Sequence, residues 1–334
     1  MKIENNQSAA IGLDVGTSRI VVARQNGAEP HFARQLNAFV NLPFSKITQS
    51  VLEKERVPYT AAESELVVYG DQSERFAALQ NAEVRRPMLH GVLNPGEADA
   101  QRLMAVMLRN LVGEASPRGQ KLCFTVPAPT LGSHEDLSYH ETALRQMLGG
   151  LGFEVSAIPE GLAVVYSELE ATNYTGIGIS CGGGLCNFCL AYLSVPVLTF
   201  SIPKAGDYID TSAASVIGER ANRVRILKEE SFYLNGTPSE KIDQALAGFY
   251  DDMIQTLVSA MSEAFAKGGT LPKIGRAVPL VLSGGSALPR GFRDRFEQVL
   301  RTAHFPVELS EIRLAAKPLT SAAKGALVAA LSEM

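Results

Sequence analysis

Short apolar runs of strand length alternate along this chain with longer stretches whose apolar residues recur every three or four positions. Ile242, Leu246, Phe249, Met253, Leu257, Met261 and Phe265 form one such stripe and predict a helix over 239–267. Contiguous apolar runs at 121–126 and 278–282 have the length of buried strands, the first stopped by Pro127. Further strands are expected at 153–158 and 195–202. Further helices are expected at 160–170, 290–302 and 320–332, with Pro289 at the start of the second. Ser133 and Asp136 have capping-box spacing and predict a helix running to about Leu151. Strands alternating with helices predict an α/β fold, its mostly parallel sheets covered by helices on both faces.

The pattern occurs twice. Ile11-Gly12-Leu13-Asp14-Val15-Gly16-Thr17-Ser18, followed by Ile20-Val21-Val22-Ala23, aligns without gaps with Ile177-Gly178-Ile179-Ser180-Cys181-Gly182-Gly183-Gly184, followed by Cys186-Asn187-Phe188-Cys189, at an offset of 166 residues. Each copy reads strand, glycine-rich turn, strand, and a third strand is expected at 30–40 and at 195–202. A duplicated α/β domain follows, with halves at 1–158 and 159–334. A chain of 334 residues also exceeds what one hydrophobic core usually serves. Two stretches depart from the plan and read as accessory subdomains. One is polar and irregular at 41–70, ending in the strand-like Glu65–Tyr69; the other, charged and weakly periodic from Ala213 to Pro238, extends with its following helix over 213–268.

Composition narrows the function. Apolar residues make up 46% and charged residues 20% of the chain, with a net charge of −4 and no basic block. That argues against a nucleic-acid-binding face, which needs a local surplus of Lys and Arg. No apolar run approaches bilayer-spanning length and the polar N-terminus has no signal-peptide core, so a cytoplasmic location is expected, with membrane contact left open. Cys186 and Cys189 form a CxxC pair, but residues three apart on a strand point to opposite faces. With Cys123 and Cys181 they are expected to be buried small hydrophobes.

Glycines carry the candidate chemistry. Gly12, Gly16 and the Gly182–Gly184 triplet lie at strand ends, where glycine lets backbone N–H groups approach an anion. One such turn is common punctuation; two in matching places could grip a polyphosphate from both sides of a cleft. A third, Val281-Leu282-Ser283-Gly284-Gly285-Ser286, follows a buried strand, the usual ligand position in an open α/β sheet.

These segments resemble the actin/Hsp70/hexokinase superfamily, and within it the prokaryotic actin homologues of the MreB, MamK and FtsA kind. Residues 11–18 resemble the first phosphate loop, 179–184 the second, and 281–286 the adenosine motif. Arg86-Pro87-Met88-Leu89-His90-Gly91-Val92 is similar to an MreB segment leading into a helix. Pro159–Ala163 and 317–326 resemble the two interdomain connecting helices. The resemblance implies an actin-like ATPase fold of two RNase H-like domains, a nucleotide cleft between them, and a final helix at 320–333 packed back on the first. It further implies ATP or ADP with Mg²⁺ as cofactors. Asp14 would hold the metal through water; Gly16, Thr17, Ser18, Gly182, Gly183 and Gly184 would hold the phosphates; Gly206 and Asp207 would lie near the ribose. Gly284, Gly285 and Ser286 would flank the adenosine, with Arg225 in place of the lysine over the adenine.

This sequence departs from the family at its second phosphate loop. The usual aspartate, which orients Mg²⁺ and the attacking water, is Ser180, and the hydroxyl-bearing residues after the glycines are Leu185 and Cys186. Losing such a group costs about 10²–10⁴-fold in rate. The general base would fall at His140 or Glu141, whose plain alternative is a solvated helix face. The resemblance therefore implies a filament-forming cytoskeletal protein, its own partner in a homopolymer, with slow hydrolysis. Two alternatives compete with it: a pseudo-ATPase scaffold or Hsp70-like partner-binding protein, and a metabolite kinase, for which no acceptor-activating carboxylate is identified.

Overall fold

The structure is a computed structural model that describes residues 10–27, 29–62, 64–132, 137–267, 275–303 and 305–333. The first lobe opens with strands β1 (Ala10–Val15), β2 (Arg19–Asn26) and β3 (Glu29–Leu36), continues through β4 (Phe39–Pro43), α1 (Lys46–Lys54), β5 (Tyr59–Ala62), β6 (Glu65–Tyr69) and α2 (Gln72–Leu79), and passes a two-residue pair, β7 (Met88–Leu89) and β8 (Val92–Leu93). It closes with α3 (Ala100–Val112), β9 (Lys121–Val126), α4 (Ser138–Gly150) and β10 (Glu154–Pro159). Helix α5 (Glu160–Glu168) leads into the second lobe. There follow β11 (Gly176–Cys181), β12 (Cys186–Tyr192), β13 (Val195–Ile202), α6 (Gly206–Ile217), α7 (Ala221–Ser231), α8 (Lys241–Lys267), β14 (Val278–Ser283), α9 (Phe292–Thr302), β15 (Leu309–Leu314) and α10 (Ser321–Ser332).

The duplication is literal in the topology. The first sheet runs β10-β9-β1-β2-β3 and the second β15-β14-β11-β12-β13. In each, the opening hairpin and third strand are antiparallel, and the two later strands add in parallel beside the first. Even the turns match: Gly16 N–H donates to the Arg19 carbonyl at 3.0 Å, and Gly182 N–H to the Leu185 carbonyl at 2.9 Å.

One expectation needs amendment. The third strand of the first half ends at Leu36; the chain then leaves the sheet, and β4 joins β5 and β6 in a separate three-stranded sheet. That sheet has its own small core of Val40, Leu42, Leu52, Leu66 and Val68, so the irregular-looking 41–70 is a folded accessory unit. The Ser133/Asp136 capping pair lies outside the described residues, and helix α4 begins at Ser138. Cys186 and Cys189 face different cores and all four cysteines are free and buried, as strand geometry requires. Among the described residues no helix is long and apolar enough to cross a membrane.

What joins the lobes is a stack of backbones in close contact. Helix α10 lies on β1, where a Cβ at residue 12 would sit 2.2 Å from the Ala323 carbonyl oxygen. Helix α5 lies on α10, where a Cβ at residue 325 would sit 1.7 Å from the Ala163 carbonyl oxygen. The second sheet lies on α5, where a Cβ at residue 178 would sit 2.4 Å from the Gly161 carbonyl oxygen. Glycine at each layer is a steric requirement.

Candidate functional site

The carboxyl ends of β1, β9, β11 and β14 converge on a cavity of 410 Å³ between the lobes. Asp14, Gly16, Thr17, Ser18, Ser180, Gly182, Gly183, Gly184, Gly206, Asp207, Arg225, Gly284, Gly285 and Ser286 all line it, so nearly every residue singled out by sequence meets in one place.

The two glycine hairpins face each other and touch. A Cβ at residue 183 would lie 2.1 Å from Ser18 Oγ, and one at residue 184 would lie 2.4 Å from Thr17 Oγ1. The second hairpin is pinned from behind: Gly206 N–H and the Ser286 hydroxyl both donate to the Gly182 carbonyl, at 3.1 and 2.8 Å, and Asp207 N–H donates to that of Gly183 at 2.8 Å. Among the described residues, no hydrogen bond engages the amides of Thr17, Ser18, Gly183 or Gly184. Four unengaged N–H groups on two opposed turns are suited to binding phosphate oxygens.

The floor holds two carboxyl groups. Asp14, at the end of β1, accepts from the Thr125 hydroxyl at 2.7 Å, and burial raises its pKa to about 6 against that bond. Glu160, first residue of α5, accepts from Ser180 Oγ at 2.6 Å and from Asn187 Nδ2 at 2.8 Å. Burial, then the neighbouring Asp14 charge, raise its pKa to about 8, which the Ser180 bond only partly offsets. Sequence reasoning placed Glu160 only in the connecting helix. The signal that could have found it was its position opposite Ser180, a carboxylate on the helix start where the strand end lacks one.

These groups can be tested against the Mg²⁺ that the fold family implies. Among the described residues no three carboxylate, imidazole or thiol groups converge to make an all-protein cage. Two partly buried carboxyls beside two hydroxyls, on the wall of a cavity that also carries unengaged amides, suit a hard cation that takes its remaining ligands from phosphate and water, the habit of Mg²⁺.

Two expected residues behave differently. Glu141 does not line the cavity; it pairs with Arg145 at 2.8 Å on a half-exposed face of α4. Its neighbour His140 is buried, accepts from Leu93 N–H at 3.2 Å, and is held neutral by burial, its pKa lowered to about 4. Arg225 reaches the cavity wall, but its guanidinium is engaged by Glu74, Glu229 and Asn222. A second buried cation on the same wall is Lys228, paired with Asp210 at 2.7 Å.

A family model described as Volactin matches residues 9–330 of the chain. Among solved structures, the MamK double helical filament is 17% identical, with a TM-score of 0.71 over 97% of this chain and 98% of that one. MreB5 of Spiroplasma citri bound to AMPPNP is 14% identical, with a TM-score of 0.68 over 95% and 94%. The ethanolamine utilization protein EutJ from Carboxydothermus hydrogenoformans is 15% identical, with a TM-score of 0.58 over 95% and 89%. These likenesses establish the actin-like fold. No curated protein matches the chain.

Proposed function

The chain belongs to the Volactin family, and on that premise we propose that it is an actin-like protein that closes its lobes on ATP or ADP and assembles with copies of itself into filaments in the cytoplasm. The observation that carries the nucleotide reading is the pair of opposed glycine hairpins, whose unengaged amides meet over a cavity of 410 Å³. The self-assembly reading is supported by likeness to a protein solved as a filament.

In this reading the phosphates lie in the cavity against the amides of Gly16–Ser18 and Gly182–Gly184, where the two turns meet, and the nucleoside extends past Gly206 toward Gly284–Ser286. Asp14 and Glu160 would hold Mg²⁺ on the floor, where the ion supplies charge neutralisation for the terminal phosphate. Ser180 and Asn187 grip the two Glu160 oxygens and fix the carboxyl in one orientation. When ionised, that carboxylate can orient a water and take its proton.

Titration calorimetry with ATP–Mg²⁺, followed by electron microscopy of the same samples, tests both halves. Micromolar binding and filaments that depend on nucleotide are expected. Absence of binding at millimolar ATP would overturn the nucleotide reading, and a monomer at every concentration tried would overturn assembly. A scaffold that binds nucleotide without turning it over is the second reading, favoured by a hydroxyl at position 180 where the actin/Hsp70/hexokinase resemblance implies an aspartate. Binding without phosphate release across pH 7–9 would select it.

A further inference from the structure

The mouth of the cleft carries a chain of alternating charges that runs back and forth between the lobes. Arg19, on β2 of the first lobe, pairs with Glu229 on α7 of the second at 2.8 Å. The other oxygen of Glu229 accepts from Arg225 of the same helix at 3.1 Å. Arg225 in turn crosses back to Glu74, on α2 of the first lobe. The order Arg19, Glu229, Arg225, Glu74 therefore takes two charges from each lobe, and each lobe offers one of each sign.

The surroundings strengthen the contact. Arg225 is only 8% exposed, and the other three are between 27% and 37% exposed, so water screens the chain incompletely. Burial acts to raise the Glu229 pKa, yet Arg19 and Arg225 together outweigh it and hold the carboxyl below its usual range. Just beyond, Arg220 donates to the Asn81 carbonyl and side-chain oxygens at 3.2 and 2.7 Å. Nearer the phosphate hairpins, Arg86 of the first lobe pairs with Asp207 of the second at 2.6 Å.

The position of the chain gives it a role. A second cavity of 360 Å³ adjoins the first, lined by β2, β3 and the start of α2 from the first lobe and by α7 from the second. The two cavities share Arg19, Arg34, Arg225 and Glu229 as wall. The charge chain thus stands as a partition between this second cavity and the inner one.

We propose that Arg19, Glu229, Arg225 and Glu74 form a clasp that holds the two lobes together at the mouth of the inner cavity, and that its release is the opening step of the cleft. Lobes held by packing alone would close or open with little response to salt. Lobes held by a half-exposed charge chain should loosen as the screening length falls from above 10 Å to about 3 Å near 1 M salt. The proposal does not depend on which ligand the inner cavity takes.

Small-angle X-ray scattering and amide exchange on the ligand-free protein test it, with wild type compared with Glu74→Gln and Glu229→Gln. At low salt wild type should give the compact profile, and about 1 M NaCl should shift it toward an open one. Glu74→Gln should be open already at low salt, and amides of α2 and α7 should exchange about five- to tenfold faster. Arg19→Lys, which keeps the charge, should stay nearer wild type. Folded variants with the wild-type profile and exchange at low salt would overturn the clasp. So would a wild-type profile indifferent to salt. If the protein bound no nucleotide, these readouts would be unaffected, so failure of the nucleotide reading is separable from failure of the clasp.

Discussion

Glu160 is the residue whose behaviour follows most directly from its surroundings. Its carboxyl is partly withdrawn from water beside Asp14 and keeps its proton to about pH 8, whereas in the unfolded chain it would titrate near 4.5. The folded state therefore binds more protons than the unfolded one between those values. Its contribution to stability is complete below pH 4.5 and is lost as pH rises through 8. Thermal melts of Glu160→Gln should show a shallower loss of stability from pH 6 to pH 9 than wild type. A parallel decline would mean that another group carries the effect. The same carboxyl predicts the outcome of restoring the family residue. Ser180→Asp removes a donor to Glu160 and adds a third acid to the floor, so the ligand-free protein should melt several degrees lower, a loss of about 1–3 kcal/mol. Saturating ATP–Mg²⁺ should recover more stability in the variant than in wild type, because a cation relieves like-charge crowding. Equal recovery in both would argue against metal binding at Asp14 and Glu160. Sequence reading found Asp14 and the missing charge at Ser180, since both sit inside a motif. It could not find the answering carboxylate, because Glu160 reaches the floor through a helix that begins twenty residues earlier in the chain.

Helices α6 and α7 illustrate what an element can hide in its sequence. The 213–238 stretch is weakly periodic because α7 buries Arg225 and Lys228 beside Val224; Lys228 pairs with Asp210 of α6 at 2.7 Å, and burial pushes the Asp210 pKa upward against the pull of Lys228. A buried pair adds little net stability, but removing one partner strands the other. Lys228→Met should therefore cost about 3–5 kcal/mol in chemical denaturation, and adding Asp210→Leu should return much of that loss. A strictly additive double variant would show that the pair is not coupled. Elsewhere, elements were legible where burial is apolar. The 239–267 stripe became α8, whose Leu246, Met253, Leu257 and Met261 are in the second core, and 121–126 became β9. Strand β15 left no such mark: it is an edge strand, half exposed, in a polar context. The sequence reading missed it, although β10 occupies the same place in the first sheet and the repeat could have pointed to it.

At the scale of the whole molecule the layered stack β1, α10, α5, β11 decides how the lobes can move. Backbones in contact at Gly12, Gly325 and Gly178 leave no slack for side chains to repack. Gly325→Ala should destabilise the protein by about 1–3 kcal/mol or more, and calorimetry should register a drop in melting temperature. A neutral effect would mean that α5 and α10 can part more freely than their contact implies. The domain repeat was readable from periodicity and the 166-residue offset, and the cleft was implied by the resemblance that the glycine motifs carry. The tightness of the joint was not, because it depends on which glycines meet across three layers. The hairpin contacts carry a last consequence. Ser18 meets Gly183, and Thr17 meets Gly184; applying the offset to one contact generates the other. The turns thus meet as two halves of an isologous dimer would, about an internal dyad. Such an interface has room for hydroxyls on only one partner. The first lobe has taken the side chains and left the second with bare backbone, so the duplicated halves can no longer exchange roles.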